Sequence, residues 1–272
     1  MKRMIRRIIP MICILLLSVQ GVYATEGAAE ELTPEQLEEQ QIQEEKEQAF
    51  NMETQSNQLA QWPQGPGTYG ASSIVMDMQS GAILYAKNID EVLYPASITK
   101  IATALTALEY GDLAGTVTVN EDCVSFLEYG DAHIGLKVGE QMSLEETLYA
   151  TLLASANEGA YTVAANVGEG YDWFIQQMND KAAELGALNT HFTNPHGLHD
   201  DNHYTSVRDM ALIGSELYKH GKAFEIMQTL EHQIPPTNVD PEVKWVQQNH
   251  KMLYPESDYY YEYVIGGKTG YT

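Results

Sequence analysis

The 272-residue chain holds 38 acidic residues against 15 basic ones, which gives a formal net charge of −23 at pH 7. Such a chain has no basic surface with which to displace the counterions of a polyanion, so nucleic acid is a disfavoured partner. Hydrophobic residues make up 44% of the sequence, which is enough to build a core and excludes global disorder. The two cysteines, Cys13 and Cys123, are too few for a disulfide framework.

Residues 1–24 have the pattern of a secretory signal peptide. Four basic residues precede an apolar run over residues 8–19, and Val22 and Ala24 are the small residues that signal peptidase recognises. The apolar run is short for the hydrocarbon core of a bilayer, so a retained transmembrane anchor is the weaker alternative. We therefore expect a secreted protein that acts in the cell envelope, outside the cytoplasm.

Residues 25–67 form an acidic linker rich in Glu and Gln, which we expect to be disordered or partly helical. Its few apolar residues are too sparse to make a core. The Pro and Gly residues between 63 and 67 break any helix. The globular domain is therefore expected over residues 68–272, with the fold beginning near Tyr69.

The globular part is predicted to contain both strands and helices. Residues 72–78 and 82–86 predict a β-hairpin. Apolar spacing predicts five helices, at residues 97–110, 143–154, 158–167, 171–185 and 206–219. The N-cap candidates are Ser143 for the second helix and Thr205 or Ser206 for the fifth, and Gly111 is a natural residue to end the first. Residues 244–253 and 259–265 read as extended segments. This order predicts an α/β fold in which the first and last strands share one sheet.

Ser97 and Lys100 lie three residues apart at the start of the first predicted helix, where such side chains are neighbours. A serine hydroxyl is a poor nucleophile until a nearby base takes its proton. A lysine can be that base if burial or a neighbouring cation lowers its pKa. The N-terminus of a helix also directs free N–H groups toward an oxyanion. The pair therefore predicts acyl transfer through a serine ester.

Two further triplets support this interpretation. Ser155-Ala156-Asn157 follows an apolar helix, at a corner from which small polar side chains can face a cleft. Lys268-Thr269-Gly270 follows two glycines at the end of an extended run, which places a cation and a hydroxyl where other backbone can approach. Each triplet alone could be structural, but their joint occurrence in this order favours an active site.

With these motifs the chain resembles the penicillin-recognising serine acyltransferases, which share S-x-x-K, S-x-N and K-T-G motifs. It is most similar to the low-molecular-mass D-alanyl-D-alanine carboxypeptidases of peptidase family S11, through LYPASITKIATALTALE, IGLKVGE, NTHFTNPHGLHDDNHYTSVRDMALI and GGKTGYT. One mild departure is Ala156, where many members carry Gly or Asp. The resemblance implies a β-lactamase/transpeptidase-like α/β fold, with an antiparallel sheet flanked by helices and a helical subdomain.

The resemblance also implies the catalytic roles. Ser97 would be the nucleophile that forms an acyl ester with the penultimate D-alanine of a peptidoglycan stem peptide, and Lys100 would be the general base. Ser155 would pass a proton to the leaving D-alanine, and Asn157 would hold Lys100 and the substrate amide. No cofactor and no metal is needed for this chemistry, and β-lactam antibiotics would inhibit it.

For substrate binding, the resemblance implies a role for the third motif and the residue after it. Lys268 and Thr269 would bind the terminal carboxylate, as a cation beside a hydroxyl should. The backbone N–H groups of Ser97 and Tyr271 would form the oxyanion hole, and Gly270 completes the motif between Thr269 and Tyr271.

Three alternatives remain. A metal-dependent hydrolase could use the segment that contains His191, His196, His199, His203, Asp200 and Asp201, although the stretch reads as a loop without helical ligand pairing. A serine β-lactamase shares the first and third motifs, but no E-x-x-x-N segment for deacylation lies between the second and third. A DD-endopeptidase of the same fold would cut cross-bridges with the same residues.

The resemblance further implies that strands and a membrane-attaching C-terminal segment should follow Thr272. We therefore expect the sequence to be a C-terminally incomplete catalytic domain over residues 68–272, with poor activity on its own.

Overall fold

The computed structural model of the protein describes residues 32–271, which divide into two units, residues 32–44 and residues 45–271. The predicted signal peptide lies outside the described residues. In the first unit, residues 34–44 belong to helix α1 (Pro34–Asn51) and are exposed. The helix begins with a reciprocal cap, because the Thr33 N–H donates to Gln36 Oε1 at 2.8 Å and the Gln36 N–H donates to Thr33 Oγ1 at 3.2 Å.

The second unit contains the remaining helices and all the strands of the described residues. The strands are β1 (Ser73–Met76), β2 (Ile83–Lys87), β3 (Thr116–Thr118), β4 (Gln141–Ser143), β5 (Glu231–Ile234) and β6 (Lys244–Gln247). The helices are α2 (Lys100–Tyr110), α3 (Asp122–Ser125), α4 (Leu144–Leu152), α5 (Asn157–Asn166), α6 (Tyr171–Glu184), α7 (Val207–Leu217) and α8 (Gly221–Gln228). Within residues 32–271, no helix combines the length and apolar character needed to span a membrane.

Helix α2 lies at the centre of the core and packs against α4, α5, α6 and α7. Its middle turn is fully buried, including Leu105 at 0% exposure. The neighbouring helices contribute large buried side chains such as Leu148, Phe174 and Ile213. Because apolar burial is the main source of folding free energy, the start of α2 is a rigid platform.

The predicted hairpin and all five predicted helices are confirmed, with ends that shift by a few residues. Two predicted caps are present: Ser143 Oγ accepts the Glu146 N–H at 3.1 Å, and Ser206 Oγ accepts the Asp209 N–H at 3.2 Å. Gly111 ends α2 as expected. Its φ is −97°, so the glycine is required by space, because a Cβ there would lie 2.4 Å from Leu144 Cδ2.

The expectation that the first and last strands share a sheet is wrong for the described residues. The strands form three separate antiparallel pairs, β1 with β2, β3 with β4, and β5 with β6. Residues 259–265 form turns and irregular backbone instead of a strand. Tyrosine favours strands only when a neighbouring strand supplies ladder hydrogen bonds and packing, and no described residue does so here.

The chain segment before the hairpin is anchored by a buried lysine. Lys87, at 0% exposure, donates from Nζ to the carbonyl oxygens of Ala49 at 2.5 Å, Thr68 at 2.8 Å and Gly70 at 2.6 Å. Burial lowers the pKa of Lys87 below its ordinary value. The Lys87 amine therefore ties α1 and the segment at Thr68 and Gly70 to the end of β2.

This anchoring corrects the expected start of the fold near Tyr69. Residues 62–66 lie along β2, since Trp62 Nε1 donates to the Leu84 carbonyl at 2.9 Å and the Tyr85 hydroxyl donates to the Pro66 carbonyl at 2.9 Å. Helix α1 already ends at Asn51, before the Pro and Gly residues of 63–67. These residues form an irregular segment that packs on the hairpin.

Replacing Lys87 with Met should lower the free energy of unfolding by about 2–4 kcal/mol, because one buried and two partly buried carbonyl oxygens lose their donor. Urea unfolding measures the change, and limited proteolysis should show faster cleavage within residues 49–68. The control is Lys219→Met, which removes an exposed lysine and should stay within about 0.5 kcal/mol of the parent. Equal stability of the two variants would contradict the anchoring role.

Candidate active site

Ser97 lies on a single 3₁₀ turn, Ala96–Thr99, that leads directly into α2. Ala96 has a positive φ of 49°, a conformation that most residues avoid. Its carbonyl oxygen faces Gly197, where a Cβ would come within 1.9 Å. The serine therefore sits on a strained turn that only a glycine partner can accommodate, at the edge of the buried core.

Lys100 is fully buried and has three hydrogen-bond partners. Its Nζ lies 3.0 Å from Ser97 Oγ, 2.7 Å from Asn157 Oδ1 and 2.7 Å from the His196 carbonyl oxygen. A neutral amine has two N–H donors and one lone pair, so it can donate to the two carbonyl-type oxygens and accept the hydroxyl proton of Ser97. The geometry fits a lysine that serves as the base for this serine.

The electrostatic environment of Lys100 favours the neutral amine. Burial lowers its pKa well below the ordinary 10.5, and the Lys268 cation lowers it further. Glu158 and Asp131 act in the opposite direction. Burial has the largest effect on this pKa, so proton release from the ammonium form is favoured.

The second motif lies at the corner between α4 and α5. Ser155 has a positive φ of 61° and is buried, while Asn157 is the first residue of α5. The Asn157 N–H donates to the Ala132 carbonyl at 2.9 Å. This bond and the turn conformation fix both side chains toward the cavity that contains Ser97.

The third motif brings a second lysine to this corner. Lys268 Nζ donates to Ser155 Oγ at 3.0 Å and to the Thr269 carbonyl at 2.6 Å. Burial lowers the pKa of Lys268 to about 8. Gly270 passes close to the nucleophile turn, since a Cβ there would lie 3.2 Å from the Pro95 oxygen and 3.4 Å from the Ile98 nitrogen. The motif therefore needs glycine for this close approach.

These groups surround one cavity of about 380 Å³, here called the catalytic cavity. Its lining residues are Ser97, Gly130, Asp131, Ala132, Ser155, Asn157, Leu198, Asn249, Thr269, Gly270 and Tyr271. Six of the eight predicted site residues line it. The other two, Lys100 and Lys268, contact its lining serines. The structure thus brings all eight predicted residues together.

Several residues at the site carry no sequence signal. His196 contributes only its main-chain oxygen, and a carbonyl group is common to every residue. The loop with Gly130, Asp131 and Ala132 is held by Glu158, whose Oε1 accepts the Ile134 N–H at 2.7 Å. That buried carboxylate directly follows Asn157, but only the fold shows which backbone it binds.

The histidines of residues 191–203 have structural partners. His203 Nε2 lies 2.8 Å from Thr99 Oγ1, and the His196 ring stacks on Phe126 at 4.7 Å between centroids. Burial lowers the pKa of His203 to about 4. Across the part of the chain that the structure describes, no group of three or more His, Cys, Asp or Glu side chains is placed to hold a metal ion.

Comparison with known proteins gives the family. The pattern of peptidase family S11, D-alanyl-D-alanine carboxypeptidase, matches residues 60–272. This chain belongs to that family. The D-alanyl-D-alanine carboxypeptidase DacF of Bacillus subtilis is 34% identical over 206 residues, covering 74% of this chain and 50% of the relative. DacA of Haemophilus influenzae is 32% identical over 176 residues, covering 63% of this chain and 44% of the relative.

The S11 chain also shares its fold with solved structures. A mutant of the Streptomyces K15 DD-transpeptidase matches with a TM-score of 0.70 and 25% identity, covering 76% of this chain and 83% of that one. The expected β-lactamase/transpeptidase-like fold is confirmed, with helices and small antiparallel sheets. The chain spans about half the length of the curated relatives it matches.

Proposed function

We propose that this protein is a serine-type D-alanyl-D-alanine carboxypeptidase that removes the terminal D-alanine from peptidoglycan stem peptides. The observation that carries the proposal is the buried Lys100 amine, 3.0 Å from Ser97 Oγ and held by two carbonyl-type oxygens. A second lysine–serine pair, Lys268 with Ser155, lies in the same site. Its hydroxyl can relay a proton, and its cation can bind a carboxylate.

In the first step the neutral Lys100 amine accepts the Ser97 proton while Oγ attacks the carbonyl carbon of the penultimate D-alanine. The bond between that carbon and the amide nitrogen then breaks, and the proton taken up by Lys100 passes through Ser155 to the leaving D-alanine amine, which makes Lys100 neutral again. An acyl ester on Ser97 remains. Because Asn157 Oδ1 fixes Lys100, the amine is aligned before substrate arrives.

The terminal carboxylate of the substrate would bind at Lys268 and Thr269. Lys268 is cationic below its pKa of about 8, and Thr269 is exposed at the cavity wall. A charge-assisted bond in this partly buried place is stronger than one at an open surface. This interaction explains why the substrate would need a free C-terminal carboxylate.

The oxyanion that forms during attack needs two N–H donors. The backbone N–H groups of Ser97 and Tyr271 donate to no other described residue, and both residues line the catalytic cavity. Water then attacks the ester carbon while the neutral Lys100 accepts a proton from that water. The bond between this carbon and Ser97 Oγ breaks, Oγ takes the proton back from Lys100, and the shortened peptide leaves. The reaction uses only side-chain and backbone groups of the chain.

The proposed substrate is located outside the cytoplasm, in the cell wall. The basic and apolar pattern of residues 1–24 supports secretion. The acidic composition of the chain supports a short-range peptide site over general adhesion to anionic wall polymers.

Fluorescent penicillin should acylate Ser97, because a β-lactam presents a strained amide to the same nucleophile and base. Digestion and mass spectrometry locate the label, and Ser97→Ala should lose it. Ser80→Ala, which removes an exposed hydroxyl on the β1–β2 turn, should keep full labelling. Label on another residue of the parent chain would refute the assignment of Ser97.

Replacing Lys268 with Gln should move the acid limb of the pH profile for penicillin acylation to higher pH. The Lys268 cation lowers the pKa of Lys100, so its removal makes Lys100 easier to protonate, and acylation then requires a more alkaline solution. The expected direction is therefore a shift to higher pH. Lys268→Arg keeps the charge and should leave the limb in place. An unchanged limb in Lys268→Gln, or a move to lower pH, would contradict this electrostatic coupling.

A further inference from the structure

Glu158 is a buried carboxylate that the proposed mechanism does not use. It lies on the first turn of α5, directly after Asn157, and has 0% exposure. Its Oε1 atom accepts backbone N–H groups from Ile134 at 2.7 Å, Gly135 at 3.1 Å and Leu136 at 3.4 Å. The other oxygen, Oε2, has no hydrogen-bond partner in the part of the chain that the structure describes. Contacts therefore account for only one of the two oxygens.

The contacts of Oε1 explain a structural role. Successive N–H groups that converge on one oxygen form a concave anion site, and the positive φ of 75° at Gly135 allows this geometry. The bonds attach the loop over residues 130–136 to α5, and three residues of that loop line the catalytic cavity. A neutral amide oxygen could accept the same N–H groups. The negative charge of Glu158 is therefore not needed to attach the loop.

The charge of Glu158 has no counterion in direct contact. No lysine, arginine or histidine among the described residues forms an ion pair with it. A buried carboxylate without a cation costs free energy, because it has lost its water and has gained no opposite charge. Such a charge also acts over a longer distance than a surface charge, since little water surrounds it to screen it. A buried amine nearby should therefore respond to it.

Lys100 is the amine on which this charge acts. Its Nζ is bonded to Asn157, the residue before Glu158. Burial lowers the pKa of Lys100 most and the Lys268 cation lowers it further, whereas Glu158 and then Asp131 raise it. The carboxylate therefore favours the ammonium form of Lys100, against the effect of Lys268.

Two other titratable groups near Lys100 contribute less than Glu158. Asp131 is only half-buried, so water screens its charge. Burial lowers the pKa of the His196 ring to about 3, so this ring is neutral near pH 7. Glu158 is therefore the main anion that favours a protonated Lys100.

The reaction needs both forms of Lys100. In the proposed function its neutral amine takes the Ser97 proton as Oγ attacks, and the resulting ammonium gives this proton through Ser155 to the leaving amine. We propose that Glu158 is a positioning residue that stabilises this transient ammonium form of Lys100 and touches no substrate. This inference rests on the proposed function. Lys268 keeps the resting amine neutral, and Glu158 stabilises the proton once it has moved to Lys100.

The test replaces Glu158 with Gln, whose amide oxygen can keep the bonds to the loop while the charge is lost. The rate of acylation by fluorescent penicillin is measured as a function of pH in the parent and in Glu158→Gln. At alkaline pH, where Lys100 is neutral in both proteins, the rate should fall about tenfold, because Lys100 becomes a weaker base. The acid limb should move to lower pH, because Lys100 becomes harder to protonate.

The matched control is Glu128→Gln, the same substitution at an exposed carboxylate in the segment that leads into this loop. It should leave the acid limb in place and the rate within about twofold. Thermal unfolding shows whether Glu158→Gln folds like the parent. A purely structural role predicts a rate that falls equally at every pH with an unmoved limb, and that result would overturn the proposal. A limb that moves to higher pH, or no change at all, would overturn it too.

A second measurement needs no variant. Carbon NMR of the parent protein labelled at the glutamate δ-carbon, with the Glu158 signal assigned through its backbone, should show a carboxylate at neutral pH. A protonated Glu158 there would overturn the proposal even if Glu158→Gln does not fold. If the parent chain takes no penicillin label at Ser97, the proposed function fails and this inference fails with it. Label at Ser97 with an unmoved limb in Glu158→Gln refutes this inference alone.

Discussion

The burial of one amine, Lys100 Nζ, is the constraint on which the rest of this site depends. Its three oxygen partners come from the nucleophile turn, the first residue of α5 and the main chain of the loop at His196. An amine in this position loses its solvation by water and is held by fixed dipoles instead. Any shift of α2, α5 or that loop would break at least one of these bonds. The helical core therefore maintains the base that the chemistry requires.

Charged side chains around Lys100 change its pKa in opposite directions. Lys268 lowers the pKa of Lys100, while Glu158 and Asp131 raise it. Glu158 is also bonded to the backbone of the loop that includes Ile134, so the same carboxylate links the cavity wall to α5. The strained conformations of Ala96 and Ser155 occur at the two corners that face the cavity. Packing elsewhere in the core must offset their cost, as is usual for strain at functional sites.

The sequence allowed the local features to be predicted and left the long-range ones open. The contact between Ser97 and Lys100 could be predicted because residues three apart on one helical turn are neighbours in any fold. The N-caps at Ser143 and Ser206 could be predicted because each involves only four consecutive residues. The contact of Lys268 with Ser155 spans 113 residues, and neither motif by itself specifies it. The hydrogen bonds from Lys87 to the Ala49 carbonyl and from Lys100 to the His196 carbonyl could not be predicted, because every residue type has the same backbone oxygen. The expected shared sheet failed because strand propensity does not specify a partner.

The most direct measurement is the ionisation state of Lys100. Nuclear magnetic resonance of protein labelled at the lysine ε-carbon can follow each lysine through a pH titration, and the Lys100 signal is assigned by its loss in Lys100→Arg. We expect Lys100 to titrate well below the ordinary value of 10.5. A Lys100 signal that remains that of an ammonium group up to pH 9 or above would contradict it.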